Sequence, residues 1–124
     1  MALMTGHSQI RLFKLIKKHL SQSGVDIFSE ATVQALRQNQ KLRKSLGLSP
    51  MIKVWHSRYL DTRLLLKIFS NVQIVDFSST YWLLTRVVYP FFQDPKHNTK
   101  FHNFASSLSQ EGNYGLAKIF VVRK

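Results

Sequence analysis

The clearest periodic pattern along the chain covers residues 8–22, whose sequence is SQIRLFKLIKKHLSQ. At 100° per residue, one arc of this segment is largely apolar and contains Leu12, Phe13, Leu15, Ile16, His19 and Leu20. The opposite arc contains Arg11, Lys14, Lys17 and Lys18, and no acidic residue occurs in the segment. Apolar residues on one face and charges on the other predict an amphipathic helix. Ser8 is its expected N-cap, and Gly24 is the expected stop beyond its C-terminal end.

A second amphipathic helix is predicted over residues 29–46, with Ser29 as its N-cap and Glu30 in its first turn. Its apolar stripe consists of Ala31, Ala35, Leu42 and Leu46, and its basic stripe of Arg37, Lys41 and Lys44. Gly47 is the expected C′ residue, and Pro50 breaks the chain beyond it. The basic stripe has two interpretations, because cations near a helix C-terminus suit the helix dipole as well as a ligand, and Arg43 belongs to the same C-terminal turn.

The pattern changes after Pro50, where strands and helices are predicted to alternate. Strands are expected at residues 51–55, 71–77 and 116–122, and helices at residues 59–69, 80–89 and 101–110. The strand at 71–77 is expected to be buried on both sides, because its apolar residues fall on both of its faces. Ser78 or Ser79 is the expected cap of the helix that follows, Pro90 is its expected end, and residues 93–100 read as a loop.

The predicted fold class is α/β, with α+β as the alternative: two N-terminal amphipathic helices followed by a small three-stranded sheet with covering helices. The order strand–helix–strand–helix predicts a βα unit with parallel pairing. The length of 124 residues fits one domain over residues 1–124. The one candidate seam lies near residues 47–50, between a helical segment 1–47 and an α/β segment 51–124.

Composition narrows the class of partner. The chain has 18 lysines and arginines against 6 aspartates and glutamates, a formal net charge of +12 and a pI near 10.4. It is 44% hydrophobic, which is too apolar for a disordered basic tail. The absence of cysteine excludes disulfide scaffolds, cysteine zinc sites and thiol catalysis. The net positive charge makes polyanions the leading class of partner. The positive excess is spread through both halves of the chain, which indicates a folded protein with a charged surface and not a polybasic tail.

Candidate catalytic chemistry is sparse. Asp76 is the best single acid, since it follows a predicted strand and precedes a helix, where α/β proteins place ligand sites. The competing interpretation is that its carboxylate makes local turn and cap hydrogen bonds. His97 and His102 lie five residues apart, which is not the spacing of a helical zinc pair, and no glycine-rich phosphate loop is present. We therefore predict a protein that is not an enzyme and that has no cofactor or metal.

Positive charge mixed with aromatic residues is the remaining signal. The segment 55–59 (WHSRY) suits unstacked RNA bases, and the loop 96–100 (KHNTK) offers phosphate donors. Their structural alternatives are core anchors and a solvated loop, respectively. The residues predicted to bind nucleic acid are Arg11, Lys14, Lys17, Lys18, Arg37, Lys41, Lys44, Trp55, Arg58, Lys96 and Lys100.

Three roles compete for the N-terminal helix. It can present its cations to phosphate from the protein surface, lie in the headgroup region of a membrane, or serve as an organellar targeting segment. Lysines outnumber arginines there, which speaks against targeting. No transmembrane span is expected, because the apolar stretch 64–92 is interrupted too often to supply about 20 mostly apolar residues.

The predicted function is a non-catalytic, RNA-binding structural component of a ribonucleoprotein, specifically a ribosomal or organellar ribosomal protein that contacts rRNA phosphates. Its expected partners are rRNA and neighbouring proteins of a large assembly, without a small-molecule substrate. The expected location is the mitochondrial matrix or the cytoplasm, since no disulfide framework marks a secreted chain. One alternative is an accessory subunit of an organellar membrane or respiratory assembly, anchored by Trp82, Phe91, Phe92 and Phe101. A second alternative is a small metal-dependent nucleic-acid enzyme.

Overall fold

The computed structural model describes residues 6–51, 59–92 and 99–124. Its helices are α1 (Gly6–His19), α2 (Val33–Ser45), α3 (Thr62–Ile68), α4 (Ser79–Leu83), α5 (Tyr89–Phe92) and α6 (Thr99–Ser107). A π-helical turn over Leu84–Val88 joins α4 to α5. The strands are β1 (Val25–Ala31), β2 (Asn71–Val75) and β3 (Ala117–Arg123). The described part of the chain thus confirms the predicted α/β class.

The sheet is antiparallel, so the prediction of parallel pairing is wrong. Its strand order is β1-β3-β2, and β3 pairs antiparallel with both neighbours. Phe120 of β3 lies opposite Phe28 of β1, and Val122 lies opposite Val72 of β2. The two outer strands therefore point the same way, as in a βα unit, but the last strand of the chain lies between them. The order of elements could not show this insertion, because it depends on contacts far apart in sequence.

Strand β1 includes residues at which the sequence pattern predicts the start of a helix. Ser29 and Glu30, the predicted cap and first-turn residues, lie inside β1. The helix α2 begins later, at Val33, and Thr32 is its N-cap, with its Oγ1 accepting a hydrogen bond from the backbone N–H of Ala35 at 3.2 Å. The interpretation of residues 1–47 as helical is therefore wrong between 25 and 31. The strand predicted at 51–55 lies, apart from its first residue, outside the described residues.

One face of the sheet carries the main core, beneath α1 and α3. Its buried members are Phe13, Leu60, Leu65, Phe69, Phe120 and Val122, and Leu12, Ile16 and Leu20 pack against them. This confirms the amphipathic interpretation of α1, although Leu15 and His19, predicted on the apolar arc, are exposed. Ser8 is not the N-cap, because α1 already includes Gly6.

The opposite face of the sheet keeps apolar side chains in contact with solvent. Ile27 is 66% exposed, Val25 45% and Val75 39%. The expectation that residues 71–77 are buried on both sides is wrong, since only Val72 of β2 is half-buried and the strand lies at an edge. Apolar residues on both faces of a strand show that both faces could be buried. Whether each face is buried depends on whether the fold packs another layer of structure against it.

A second group of helices packs beside this core. Helix α2 contacts the π-helical turn, and α4 and α6 contact each other and the same turn. Pro90 does not end the helix as predicted, because α5 continues to Phe92. Proline lacks the N–H that would bond the carbonyl of Arg86 four residues earlier. The hydroxyl of Thr85 also donates to the carbonyl of Tyr81 at 2.7 Å, and both features loosen the α-helical ladder where the π-helical turn forms.

Asp61 connects the starts of α2 and α3. It is the N-cap of α3, and its Oδ1 accepts from the backbone N–H of Arg63 at 3.0 Å and from Nε2 of Gln34 at 2.7 Å. The guanidinium of Arg63 donates to Oδ2 at 2.9 Å. These bonds favour the ionised form, and they lower the pKa of Asp61 to about 2, with the Arg63 side chain as the largest cause.

Lowering the pH should therefore reduce the free energy of unfolding by a small amount, because Asp61 becomes protonated. The carboxylate has a higher pKa in the unfolded chain, about 3.9, so its contribution is present above that pH and disappears as pH falls towards 2. Because Arg63 is largely exposed, we expect the loss to stay below about 1 kcal/mol. Urea unfolding at several pH values across this window should show a smaller decrease for Asp61→Asn, which keeps a capping side chain but does not titrate. Equal decreases in both proteins would contradict this assignment.

Candidate nucleic-acid interface

Helix α1 presents a row of cations away from the core. Arg11, Lys14 and Lys18 are exposed, and none of the 14 residues of the helix is acidic. The remaining predicted residue of this helix, Lys17, is half-buried, and its Nζ donates to the carbonyl of Ile68 at 2.7 Å. Its ammonium therefore caps the C-terminal end of α3, where a positive charge also suits the helix dipole. Lys17 has a structural role that its place on the cationic arc did not reveal.

Helix α2 carries a second row. Arg37, Lys41 and Lys44 are all exposed, and their spacing of four and then three residues places them on one face. None of the 13 residues of this helix is acidic either. At about 1.5 Å per residue, the row extends roughly 10 Å along the helix axis. Both helices thus offer solvent an uninterrupted cationic stripe; we refer to these as the α1 stripe (Arg11, Lys14, Lys18) and the α2 stripe (Arg37, Lys41, Lys44).

The other predicted binding residues divide between two situations. Lys100 is exposed, but it lies in the first turn of α6 rather than in a loop, so the loop boundary at residue 100 is wrong. Trp55, Arg58 and Lys96 lie outside the described residues. The candidate interface described below therefore rests on α1, α2 and the helices that pack beside α2.

Asp76 makes the kind of local turn hydrogen bond that its structural interpretation predicted, and it also makes long-range bonds that the interpretation did not include. Its Oδ1 accepts from the backbone N–H of Ser78 at 3.1 Å, and its Oδ2 accepts from the N–H of Gly115 at 2.9 Å. Nζ of Lys118 donates to the same Oδ2 at 3.1 Å. Only 7% of the Asp76 side chain and 16% of the Lys118 side chain are exposed. The carboxylate therefore links the turn before α4 to Gly115 and to Lys118 of β3. Its two oxygens already accept hydrogen bonds from these donors.

A cleft lies between α2 and the π-helical turn. It has a volume of about 530 Å³, and Arg43, Arg86, Trp82, Tyr59, Thr85 and Met51 contribute to its walls. Arg43 reaches it from α2, with Nε and Nη2 donating to the carbonyl of Ser49 at 2.8 and 2.6 Å. Its Nη1 donates to the carbonyl of Arg86. That carbonyl is the one that Pro90 leaves without an N–H, so the arginine fills a vacancy that the proline creates.

Two neighbouring cations, Arg43 and Arg86, make the cleft electropositive. The guanidinium of Arg86 lies over the ring of Trp82, 4.9 Å from its centroid, in a cation–π contact. Burial lowers the pKa of Arg43, and the positive charge of Arg86 lowers it further. No aspartate or glutamate of the described chain lines the cleft. Like charges without a carboxylate between them favour the binding of an anion.

Sequence reasoning missed this cleft. From the sequence, Arg43 is expected only to suit the helix dipole, and no role is expected for Arg86. Two signals were present, since Trp82 and Arg86 have the spacing of helical neighbours and Pro90 follows Arg86 by the four residues that free its carbonyl. Neither signal shows that Arg43, over forty residues away in sequence, reaches the same carbonyl.

Metal-ligating side chains do not gather in the described residues, where no group of three or more histidines or carboxylates could hold an ion. Nδ1 of His102 lies 2.8 Å from the hydroxyl of Tyr81, and His97 lies outside the described residues. None of the helices in this part of the chain combines the length and apolar character needed to cross a membrane.

Comparison of the chain with family models, with curated proteins and with solved structures gives no match. Inferences about function therefore come from the residues and their geometry.

Proposed function

We propose that this protein is a non-catalytic, RNA-binding structural component of a ribonucleoprotein, with a ribosomal or organellar ribosomal protein as the specific class and rRNA as the polyanion. The observation that supports this most directly is the pair of cationic stripes on α1 and α2, two helices without a single acidic residue. The described ion pairs involve other cations, with Arg63 bound to Asp61 and Lys118 to Asp76. No ion pair described for this part of the chain involves a cation of either stripe, and we expect a polyanion to be their partner.

The mechanism of binding is neutralisation of phosphates. Each phosphate that a lysine or arginine engages releases condensed counterions, so the affinity falls linearly with salt concentration on a log–log plot. The exposed stripes consist of flexible ammonium groups and guanidinium groups on regular helix faces. Such contacts position an RNA without reading its bases, so we expect weak sequence preference.

A protein neighbour is favoured by a different surface. The open face of the sheet exposes Val25, Ile27 and Val75, and exposed apolar residues grouped on one face are typical of protein interaction sites. This observation fits the neighbouring proteins expected for a ribonucleoprotein subunit. It also favours a second candidate function, an accessory subunit of an organellar membrane or respiratory assembly. The two candidates differ in whether RNA is bound with a steep dependence on salt.

Neutralising the α2 stripe should weaken RNA binding in a salt-dependent way. The triple variant Arg37→Gln, Lys41→Gln, Lys44→Gln should lower the magnitude of the log–log slope by about 3, roughly one per phosphate contact. Fluorescence anisotropy with a structured RNA across a range of potassium chloride concentrations measures this slope.

The matched control removes the same charge elsewhere, through Arg63→Gln, Lys67→Gln and Lys124→Gln. We expect this control to change the slope much less, provided that thermal melting shows both variants folded. A wild-type slope near zero, or binding to anionic vesicles alone, would exclude the RNA function and favour the assembly subunit. Equal losses in both triple variants would show that net charge, and not the α2 stripe, drives binding.

A further inference from the structure

The cleft between α2 and the π-helical turn joins an anion-binding end to an aromatic wall. Arg43 and Arg86 supply the positive charge, and Trp82 and Tyr59 supply the rings. The volume of about 530 Å³ lies within the range of roughly 300–1,000 Å³ typical of small-molecule sites. The cleft is therefore large enough for one planar, charged ligand and too small for a nucleic-acid duplex.

The donors in the cleft are fixed in place yet incompletely used. Arg43 directs three of its N–H groups to the carbonyls of Ser49 and Arg86, which holds its guanidinium plane. A guanidinium has five N–H groups, so two remain for a ligand. The guanidinium of Arg86 has a cation–π contact with Trp82 but no hydrogen-bond acceptor or carboxylate among the described residues. Planar, anchored guanidinium groups are well suited to phosphate oxygens.

The aromatic side of the cleft suits a nucleobase. Unstacked bases bind to aromatic rings and to the planes of arginine side chains, and the cation–π pair of Trp82 and Arg86 offers both. Arg43 lies on α2 two residues after Lys41 and one before Lys44, so it faces a different side of the helix from the α2 stripe. The cleft is therefore a second contact on the same helix, and an RNA strand would have to pass round α2 to reach both.

We propose that the cleft binds one unpaired nucleotide of single-stranded RNA, with its phosphate at Arg43 and Arg86 and its base against Trp82. The inference rests on the proposed function and specifies which part of the RNA is held. The chemistry recognised is that of a nucleoside 5′-monophosphate, which an RNA loop or a free nucleotide can supply. A paired nucleotide is excluded because its base faces are covered by stacking.

The test compares a labelled single-stranded oligouridylate with a blunt RNA duplex. Arg86→Gln should weaken binding of the single strand about tenfold, because it removes one of the two guanidinium groups that hold the phosphate, and leave duplex binding nearly unchanged. Lys67→Gln removes the same charge from α3 and should affect both RNAs equally and slightly. Trp82→Phe should keep most of the single-strand affinity that Trp82→Leu loses, and thermal melting checks the fold of each variant.

Competition by uridine monophosphate and by inorganic phosphate separates the sources of the ligand. Uridine monophosphate should displace the strand more effectively than phosphate does, and Trp82→Leu, which removes the ring for the base, should abolish this difference. If Arg86→Gln behaves as Lys67→Gln does, the cleft is not the site, although RNA binding through the stripes stands. If uridine monophosphate binds to the wild type while Arg86→Gln leaves the strand affinity intact, the cleft holds a free nucleotide, and its assignment to a nucleotide of RNA is overturned. If the wild type binds neither RNA, the proposed function itself fails.

Discussion

Replacing Asp76 with alanine should lower the free energy of unfolding by about 3–5 kcal/mol, because it leaves the largely buried ammonium of Lys118 without its carboxylate. The same change removes the acceptor for the backbone N–H groups of Ser78 and Gly115. Buried donors without acceptors add to the cost of an unpaired charge. Urea denaturation at neutral pH measures this free energy.

Two further variants show whether the loss comes from the buried contacts. Glu111→Ala removes the same charge from an exposed position and should change stability by no more than about 0.5 kcal/mol. Adding Lys118→Met to Asp76→Ala should restore part of the loss, since replacing both members of a buried pair costs less than removing one. A loss for Asp76→Ala as small as that for Glu111→Ala would contradict the role assigned to this carboxylate.

The bonds of Asp76 also bear on the cleft. Asp76 fixes the turn in which the Ser78 hydroxyl donates to the carbonyl of Ala117 at 2.9 Å. The carbonyl of Ser78 in turn accepts the N–H of Trp82 at 3.0 Å. A Cβ at position 115 would lie 1.9 Å from Oδ1 of Asp76, so the close approach of the carboxylate requires glycine there. The acid that looked most catalytic in the sequence is therefore a residue that positions the helix carrying Trp82.

Local periodicity predicted the helices and strands whose pattern of apolar residues is contained within the element itself. The helices at 8–22 and 59–69 correspond to α1 and α3, and the strands at 71–77 and 116–122 correspond to β2 and β3. Their ends shifted where a capping residue inside the predicted segment starts the helix, as Asp61 does for α3. The sequence signal is sufficient here because each pattern reflects one buried face of the element itself.

Strand β1 was missed for the opposite reason. Ser29 and Glu30 have the character of a helix start, and only pairing with β3, almost ninety residues later, makes the segment a strand. The insertion of β3 between the outer strands and the meeting of Arg43 with Arg86 have the same origin. Each is a contact distant in sequence, which propensity and spacing do not encode.

Charge in the sequence was informative about the class of partner and less so about individual residues. Several cations donate to backbone carbonyls, with Lys17 bound to Ile68, Lys124 to Leu20, and Arg43 to Ser49 and Arg86. Such groups hold helix ends together and are only partly available to a ligand. The composition gives these bound cations the same weight as the cations of the exposed stripes, whereas the structure distinguishes the two groups.

Phe120→Ala should destabilise the protein by about 3–5 kcal/mol, because it removes the central side chain of the main core. Phe120 is fully buried in β3, its ring lies 5.3 Å from that of Phe28, and it belongs to the cluster that contains Phe13 of α1. The cavity would therefore loosen the packing of α1, so the α1 stripe should bind RNA only in the fraction of molecules that remains folded.

Ile27→Ala is the matched control, because it shortens an apolar side chain on the open face of β1, where Ile27 is 66% exposed. It should change the free energy of unfolding by no more than about 0.5 kcal/mol. Urea denaturation of both variants, followed by circular dichroism, measures the difference. Comparable losses in the two proteins would mean that the open face of the sheet is packed against something in solution, and would place part of the core on the side where these side chains now meet solvent.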